Sequence, residues 1–225
     1  LAAATDDDLR TLERLRVTVV IDFRGPGDIA IEGEDRLPSG ATLVSIPMYD
    51  PARGADLRSL LYDSPPEVVF EHFGNGRAVE AMVRGARTLV ADARRVEGYG
   101  LMLRTIIEND DGVALIHCSA GKDRTGWGAS LMLLALGVPE TTVIEHYLES
   151  NLHRPDRSDR LAEFARAGID PSVLLPFFEV REEYKRAALD ALEEEWGGIE
   201  GYVRDGLGIT DDELARFRSR MLEPV

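Results

Sequence analysis

The chain has 225 residues, 44% of them apolar, and a formal net charge of -15. That length buries a full core and fits one domain with a helical elaboration, while the negative balance argues against nucleic acid, whose binding rests on clustered Lys and Arg. A single cysteine, Cys118, excludes an intramolecular disulfide, and no apolar run reaches the ~18 to 20 residues that span a bilayer.

A soluble globular enzyme without stable membrane insertion is therefore expected. Only two of the 26 basic residues are lysines, Lys122 and Lys185. A preference for Arg codons explains such an imbalance, and it makes a lysine inside a motif more informative. The sequence begins at Leu1 rather than Met, so an N-terminal segment is expected to be missing. A cytoplasmic location is expected, with secretion left open because a targeting signal can precede Leu1.

Thr5 followed by Asp8 reads as a capping box opening a short helix to about Arg16, and the β-branched stretch 17–21 reads as a strand. Asp22, Phe23 and Arg24 emerge at its end. Gly25-Pro26-Gly27 and the polar residues up to Gly40 read as a long loop, followed by a short strand over 42–46. Loops at strand ends are where an α/β sheet collects its site residues. Short helices are expected near 56–62 and 66–73. From 77 to 109 apolar residues recur at helical spacing (Val79, Met82, Val83, Ala86, Leu89, Val90), predicting two helices separated around Gly98 and Gly100.

Asn109-Asp110-Asp111-Gly112 is a turn signal, and the apolar run 113–116, too short for a helix, is expected to be the central buried strand. After a loop, 125–136 predicts a buried helix ended by Gly137, and Pro139 opens the next one through about Ser150. Further helices are expected near 157–167, 180–196 and 211–222, the last opened by a Thr210/Glu213 capping box. With no repeat, heptad or low-complexity linker, 1–225 is expected to form a single domain. Residues 151–176, with Pro155, Gly168 and Pro171 as joints, are expected to form a helical lid over the site.

The chemistry concentrates between the expected strand and helix, in His117-Cys118-Ser119-Ala120-Gly121-Lys122-Asp123-Arg124-Thr125-Gly126. A phosphate monoester carries about two negative charges at neutral pH, so an attacking thiolate needs electrostatic help. Backbone N–H groups from Ser119 through Ala120, Gly121, Lys122 and Asp123 to Arg124 can curl inward as a nest. The following helix points its positive end at the same place, and Arg124 can grip two phosphate oxygens. The same field favours the thiolate of Cys118 over its thiol. Five residues between cysteine and arginine are enough to wrap one tetrahedral anion, and Gly121 permits close approach or positive φ.

Four other readings of the motif compete with this one. A Walker loop fails, because Ile116 stands where its first glycine belongs and Asp123 where Ser or Thr should follow the lysine. A rhodanese-like cradle does not call for the Arg-Thr-Gly ending, and the low-molecular-weight phosphatases carry their cysteine near the N-terminus. A phosphate-recognition module that does not turn over remains the alternative. Such modules normally lose the cysteine or the arginine, and both are kept.

The motif resembles that of the cysteine phosphatases of the protein tyrosine phosphatase superfamily, and is closest to their atypical bacterial branch, which shares features with phosphoinositide phosphatases. Ile21-Asp22-Phe23-Arg24, Tyr147-Leu148-x-Ser150-Asn151 and Gly198-Ile199-Glu200-Gly201-Tyr202 extend the resemblance along most of the chain. It implies an α/β cysteine-phosphatase fold, a central mostly parallel sheet flanked by helices, with extra C-terminal helices.

The resemblance further implies hydrolysis of phosphomonoesters through a phosphocysteine intermediate on Cys118. Arg124 would bind the phosphate, Thr125 would hydrogen-bond near the sulfur, and His117 would order the loop from behind. Neither Trp127 nor Trp196 is followed by Pro-Asp, so the usual mobile-loop acid is missing, and the resemblance to the atypical branch implies Asp123 as the general acid instead. The alternative is that Asp123 orients Arg124 and the acid is Asp22, Asp50 or Asp56. Asp22 and Arg24 read equally as a strand-end ion pair or as substrate contacts.

Lys122 is expected to place a movable charge at the pocket mouth. Expected substrates are phosphotyrosine, with phosphoserine/threonine, a phosphoinositide or a small phosphoester as further options. No cofactor and no metal is implied, the remaining histidines having no ligand spacing.

Overall fold

The computed structural model describes residues 1–48, 64–153 and 158–223. The helix expected near 56–62, the alternative acids Asp50 and Asp56, and the joint at Pro155 lie outside them. The fold is α/β. Strands β1 (Val17–Asp22), β2 (Thr42–Ser45) and β3 (Val113–His117) form a parallel sheet in the order β2-β1-β3.

Among the described residues β1, not β3, is therefore central, which corrects the sequence expectation. The apolar run of β3 has only one strand beside it and remains partly exposed, whereas Val20 and Ile21 of β1 are fully covered. Strand register aligns the ends from which the site residues emerge. Asp22 pairs with Ser45 on one side and His117 on the other, so Phe23, Arg24 and Cys118 all leave the sheet at one edge.

Helix α1 (Asp6–Arg14) starts at the Thr5/Asp8 capping box and stops where Arg16 turns left-handed at φ 57. The expected loop after Arg24 contains a helix, α2 (Pro26–Glu32). Its start combines Pro26 in the first turn, where no N–H is needed, with the Asp28 carboxylate accepting from Gly25 N at 3.1 Å. Those two effects outweigh the glycines that read as a turn. Helices α3 (Pro66–Phe73), α4 (Arg77–Ala91) and α5 (Ala93–Glu108) come next.

The break between α4 and α5 falls at Asp92, not at Gly98 and Gly100. Asp92 is extended (φ -74, ψ 121) and caps α5 by accepting from Arg95 N at 3.1 Å. The two glycines sit inside α5 because nothing larger fits. A Cβ on Gly98 would lie 2.7 Å from Met48 Cε, and one on Gly100 would lie 2.7 Å from the Leu207 carbonyl oxygen.

After β3 come α6 (Arg124–Ala135), α7 (Glu140–Leu148), α8 (Ser158–Arg166), α9 (Pro171–Phe178), α10 (Glu182–Trp196) and α11 (Asp211–Met221), the last opened by the expected capping box. The Asn151 side chain donates to Val180 O at 2.8 Å and accepts from Val180 N at 2.9 Å, anchoring the start of the C-terminal segment to the end of α7.

The main core joins Ile21 and Phe23 to Tyr99 and Met102 of α5, Trp127 and Leu131 of α6, and Leu192 of α10. Fully burying side chains of this size stabilises the fold by roughly 1.5–3 kcal/mol each. It also fixes the site. Phe23 meets Tyr99 edge-on at 5.7 Å, and the Tyr99 hydroxyl donates to Arg124 O at 2.8 Å, holding the first turn of α6 against the sheet. A second, smaller cluster gathers Val69, Phe73, Phe164, Ile169 and Leu174 from α3, α8, α9 and the α8–α9 turn.

Candidate active site

Cys118 directly follows β3 and is buried, 8% exposed. Its Sγ accepts from Gly121 N at 3.3 Å, a contact that requires the loop to fold back over the sulfur. Gly121 provides that reversal at φ 69, where a side chain would be strained. Ser119, Ala120 and Gly121 are exposed around it. Helix α6 begins at Arg124, and the Asp123 side chain does not cap it. Its first-turn amides, which have no intrahelical acceptor, are therefore available to an anion seated over the sulfur.

Arg124 is held from two sides. Its Nη1 donates to Asp28 Oδ2 at 2.7 Å and to Phe23 O at 3.1 Å, and its Nη2 donates to Ser119 Oγ at 3.3 Å. Burial works against the guanidinium charge, but the Cys118 sulfur, Asp28 and Asp123 outweigh it and hold the group more firmly protonated than usual. Burial likewise raises Asp28, yet Arg124, the Gly25 amide and Ser119 draw its carboxyl below the ordinary range. Sequence reasoning misses Asp28 as a site residue. Its sequence signal is that of a helix N-terminus, and its partner lies 96 positions away.

Behind the loop is a buried ionic network. Arg24 Nε donates to both carboxylate oxygens of Asp22 at 3.0 Å, and its Nη2 donates to Asp35 Oδ1 at 2.7 Å. His117 Nε2 lies 2.7 Å from Asp35 Oδ2, and its Nδ1 lies 3.3 Å from Cys118 O. His117 thus ties the loop to the α2–β2 connection. Asp22 is 2% exposed and Arg24 is 2% exposed, placing both in a structural ion pair rather than on an open surface. Asp35, which no local pattern marks, completes the network.

Burial raises the Asp35 carboxyl, but its cationic neighbours, His117 and Arg24 among them, draw it below its usual range. Asp22, Asp35 and His117 offer ligand atoms within 4.8 Å of one another, the one such group among the described residues. Arg24 already neutralises both carboxylates there, so a divalent cation would have to displace a buried guanidinium.

Lys122 does not stand movable at the mouth. Its side chain is 5% exposed, and its Nζ donates to Asp123 Oδ1 at 2.8 Å, while Asp123 itself is 41% exposed. A lysine drawn from water takes the nearest carboxylate, and here that is its neighbour. Thr125 Oγ1 is buried and, among the described residues, unpartnered. The loop thus gathers a sulfur, a pinned guanidinium, a free helix N-terminus and a half-exposed carboxylate around one small space. That set can bind a tetrahedral dianion, attack it and protonate what leaves.

Comparison with known proteins agrees. A tyrosine phosphatase family matches residues 1–223. A candidate tyrosine-protein phosphatase of Cupriavidus necator is 30% identical over 227 residues, covering 98% of this chain and 76% of its own. The triple specificity protein phosphatase PtpB of Mycobacterium tuberculosis is 27% identical over 244 residues, covering 99% and 88%. A tyrosine-protein phosphatase of Nostoc commune is 32% identical over 130 residues, covering 53% and 42%. Because the family match runs almost end to end instead of stopping at the loop, the chain belongs to the tyrosine phosphatase family and is a phosphoric monoester hydrolase.

Proposed function

We propose that the chain is a single phosphatase domain that hydrolyses phosphomonoesters through a phosphocysteine intermediate. Phosphotyrosine is the leading substrate, and phosphoserine or phosphothreonine the next. The observation that carries the mechanism is the Gly121 N–H folded onto Cys118 Sγ at 3.3 Å beneath the helix that begins with Arg124. In that geometry the Cys118 thiolate attacks phosphorus, the phosphorus–oxygen ester bond breaks, and Asp123 gives its proton to the leaving oxygen. Water then attacks the phosphocysteine, the sulfur–phosphorus bond breaks, and the proton returns to Asp123 as inorganic phosphate departs.

Arg124 and the first-turn amides hold the equatorial oxygens throughout, and the unpartnered Thr125 hydroxyl serves the sulfur as its charge returns. Burial and pairing of Lys122 weaken the case for extra substrate phosphates, so a phosphoprotein is favoured over a phosphoinositide. The Mycobacterium relative is named for triple specificity, which argues for a broad test panel. No helix among the described residues is long and apolar enough to cross a membrane.

Residues 151–176 are proposed as the lid. Supporting this, α8 and α9 pack with α3 and the start of α4 in a second cluster apart from the main one, and Tyr184 donates to Pro176 O at 3.3 Å. Hydrogen exchange as slow in α8 and α9 as in β1 would count against a lid.

The central test compares wild-type and Cys118→Ser protein on an aryl phosphate, a phosphotyrosine peptide, a phosphoserine peptide and a phosphoinositide. Turnover by the wild type only, with a phosphoenzyme trapped on Cys118 by rapid quench, is expected. Turnover that survives Cys118→Ser would refute the mechanism, and phosphate binding without turnover in the wild type would favour the recognition module.

A further inference from the structure

Lys185 is a buried cation that the proposed reaction steps do not use. It is 3% exposed, reaches from α10 to the underside of α6, and donates through Nζ to Ser130 Oγ at 2.6 Å and to Gly126 O at 3.2 Å. The ammonium lies 4.2 Å from the Tyr147 ring centre and 5.2 Å from that of Trp127. Among the described residues no carboxylate forms an ion pair with it. A buried charge without an ionic partner is costly, and an apolar side chain would fill the same space more cheaply.

The choice of residue is informative as well. Lysine occurs twice among 26 basic residues, and this is one of the two. A compact ammonium fits the cage between two rings, and unlike a guanidinium it can lose its proton. The groups that face it are Asp123 from the loop, Tyr147 and Trp127 from α7 and α6, and Tyr184 behind Tyr147.

Resting on the phosphatase reading above, we propose that Lys185 is a positioning residue for the phosphate cradle. Its ammonium clamps the first turn of α6 and sets a buried positive charge behind the loop, a charge that strengthens when an anion occupies the cradle. Burial pushes the group down to about 7, with Asp123 opposing, so the charge is adjustable near neutral pH. Linkage then runs both ways: an anion over Cys118 favours protonation of Lys185, and protonation of Lys185 tightens the anion.

With only two lysines, selective 13C labelling at Cε yields two resonances, and Lys185→Met identifies which belongs to Lys185. The titration is run on the Cys118→Ser protein, where no thiolate confuses the curve, with sulfate as a probe that stays dianionic throughout. A Lys185 midpoint near neutrality is expected, rising by about half a unit on saturation with sulfate. That shift corresponds to roughly threefold tighter sulfate at low than at high pH. Lys185→Met is expected to weaken sulfate by a comparable factor below the midpoint and to flatten its pH dependence.

A Lys185 midpoint near that of free lysine, or one indifferent to sulfate, overturns the proposal. So does Lys185→Met with a wild-type sulfate profile. If Lys185→Met does not fold, Ser130→Ala removes one acceptor and keeps the lysine. A lowered midpoint supports the clamp, and an unmoved one overturns it. Failure to bind sulfate at all overturns the cradle reading too, whereas sulfate binding with a silent Lys185 overturns this inference alone.

Discussion

Asp28→Asn tests whether Arg124, the proposed phosphate-binding arginine, is positioned from outside its own loop. Asp28 Oδ2 accepts from Arg124 Nη1 at 2.7 Å, and the substitution keeps the shape while removing the charge. A hydrogen bond between charged groups contributes about 1.5–3 kcal/mol. Asp28 is 28% exposed, so solvent screening selects the lower end, about 1.5 kcal/mol, or roughly tenfold in rate.

A second effect has the opposite sign, because the Asp28 carboxylate repels the dianion that Arg124 would hold in the proposed reaction. Removing it strengthens ground-state binding. The expected outcome in steady-state assays with an aryl phosphate is a kcat about tenfold lower together with a lower KM, so that kcat/KM changes less than kcat. The wild-type pH profile should show no inflection from Asp28 between pH 5 and 8. Its carboxyl is drawn below 3.8, so its contribution is present above that value and is lost only as pH falls beneath it. Unchanged kcat and KM in Asp28→Asn would mean that Phe23 O and Ser119 suffice to aim Arg124, and the positioning role of Asp28 would be refuted.

Asp123→Asn should cost about a hundredfold in kcat for a substrate with a poor leaving group and far less for a good one. Equal losses would leave Asp123 only its pairing with Lys122. Arg24→Met takes the guanidinium from Asp22, which is 3% exposed, and leaves Asp35, 0% exposed, with His117, and urea denaturation should record a loss of about 3–5 kcal/mol at pH 7. A loss within error of zero would sink the structural reading of that pair. In the wild type the contribution of Asp35, whose carboxyl is drawn below 3.8, is fully present above that pH and disappears as pH falls through the lowered value. The Asp35→Asn protein should therefore show less acid-induced destabilisation in that window. Gly100→Ala drives a Cβ to 2.7 Å from Leu207 O, for an expected loss of about 1–3 kcal/mol by thermal unfolding. An unchanged Tm would mean that the α5 backbone does not pack this closely.

Some of this was legible in the residues alone. Thr5 with Asp8 and Thr210 with Glu213 form capping boxes over three positions, and the Cys118-to-Arg124 loop needs only its own length, a glycine at φ 69 and the helix after it. Each is a short-range device whose donors and acceptors sit within one or two turns of chain, so the sequence by itself determined them. The proposed phosphate cradle is read from the same short stretch.

Tertiary structure decided the rest. Gly98 and Gly100 read locally as a helix break, and only the approach of Met48 and Leu207 shows them to be packing contacts within one helix. The position of β1 in the middle of the sheet depends on which strand each neighbour reaches, which an apolar run cannot state. Asp28 and Asp35 find Arg124 and His117 across 96 and 82 positions, and the burial of Lys122 and Lys185 results from what folds over them. The proposed nucleophile and its proposed cradle are written into ten consecutive residues. The charges that aim and tune them come from distant segments, because buried carboxylates and ammoniums find their partners only once the chain has closed around them.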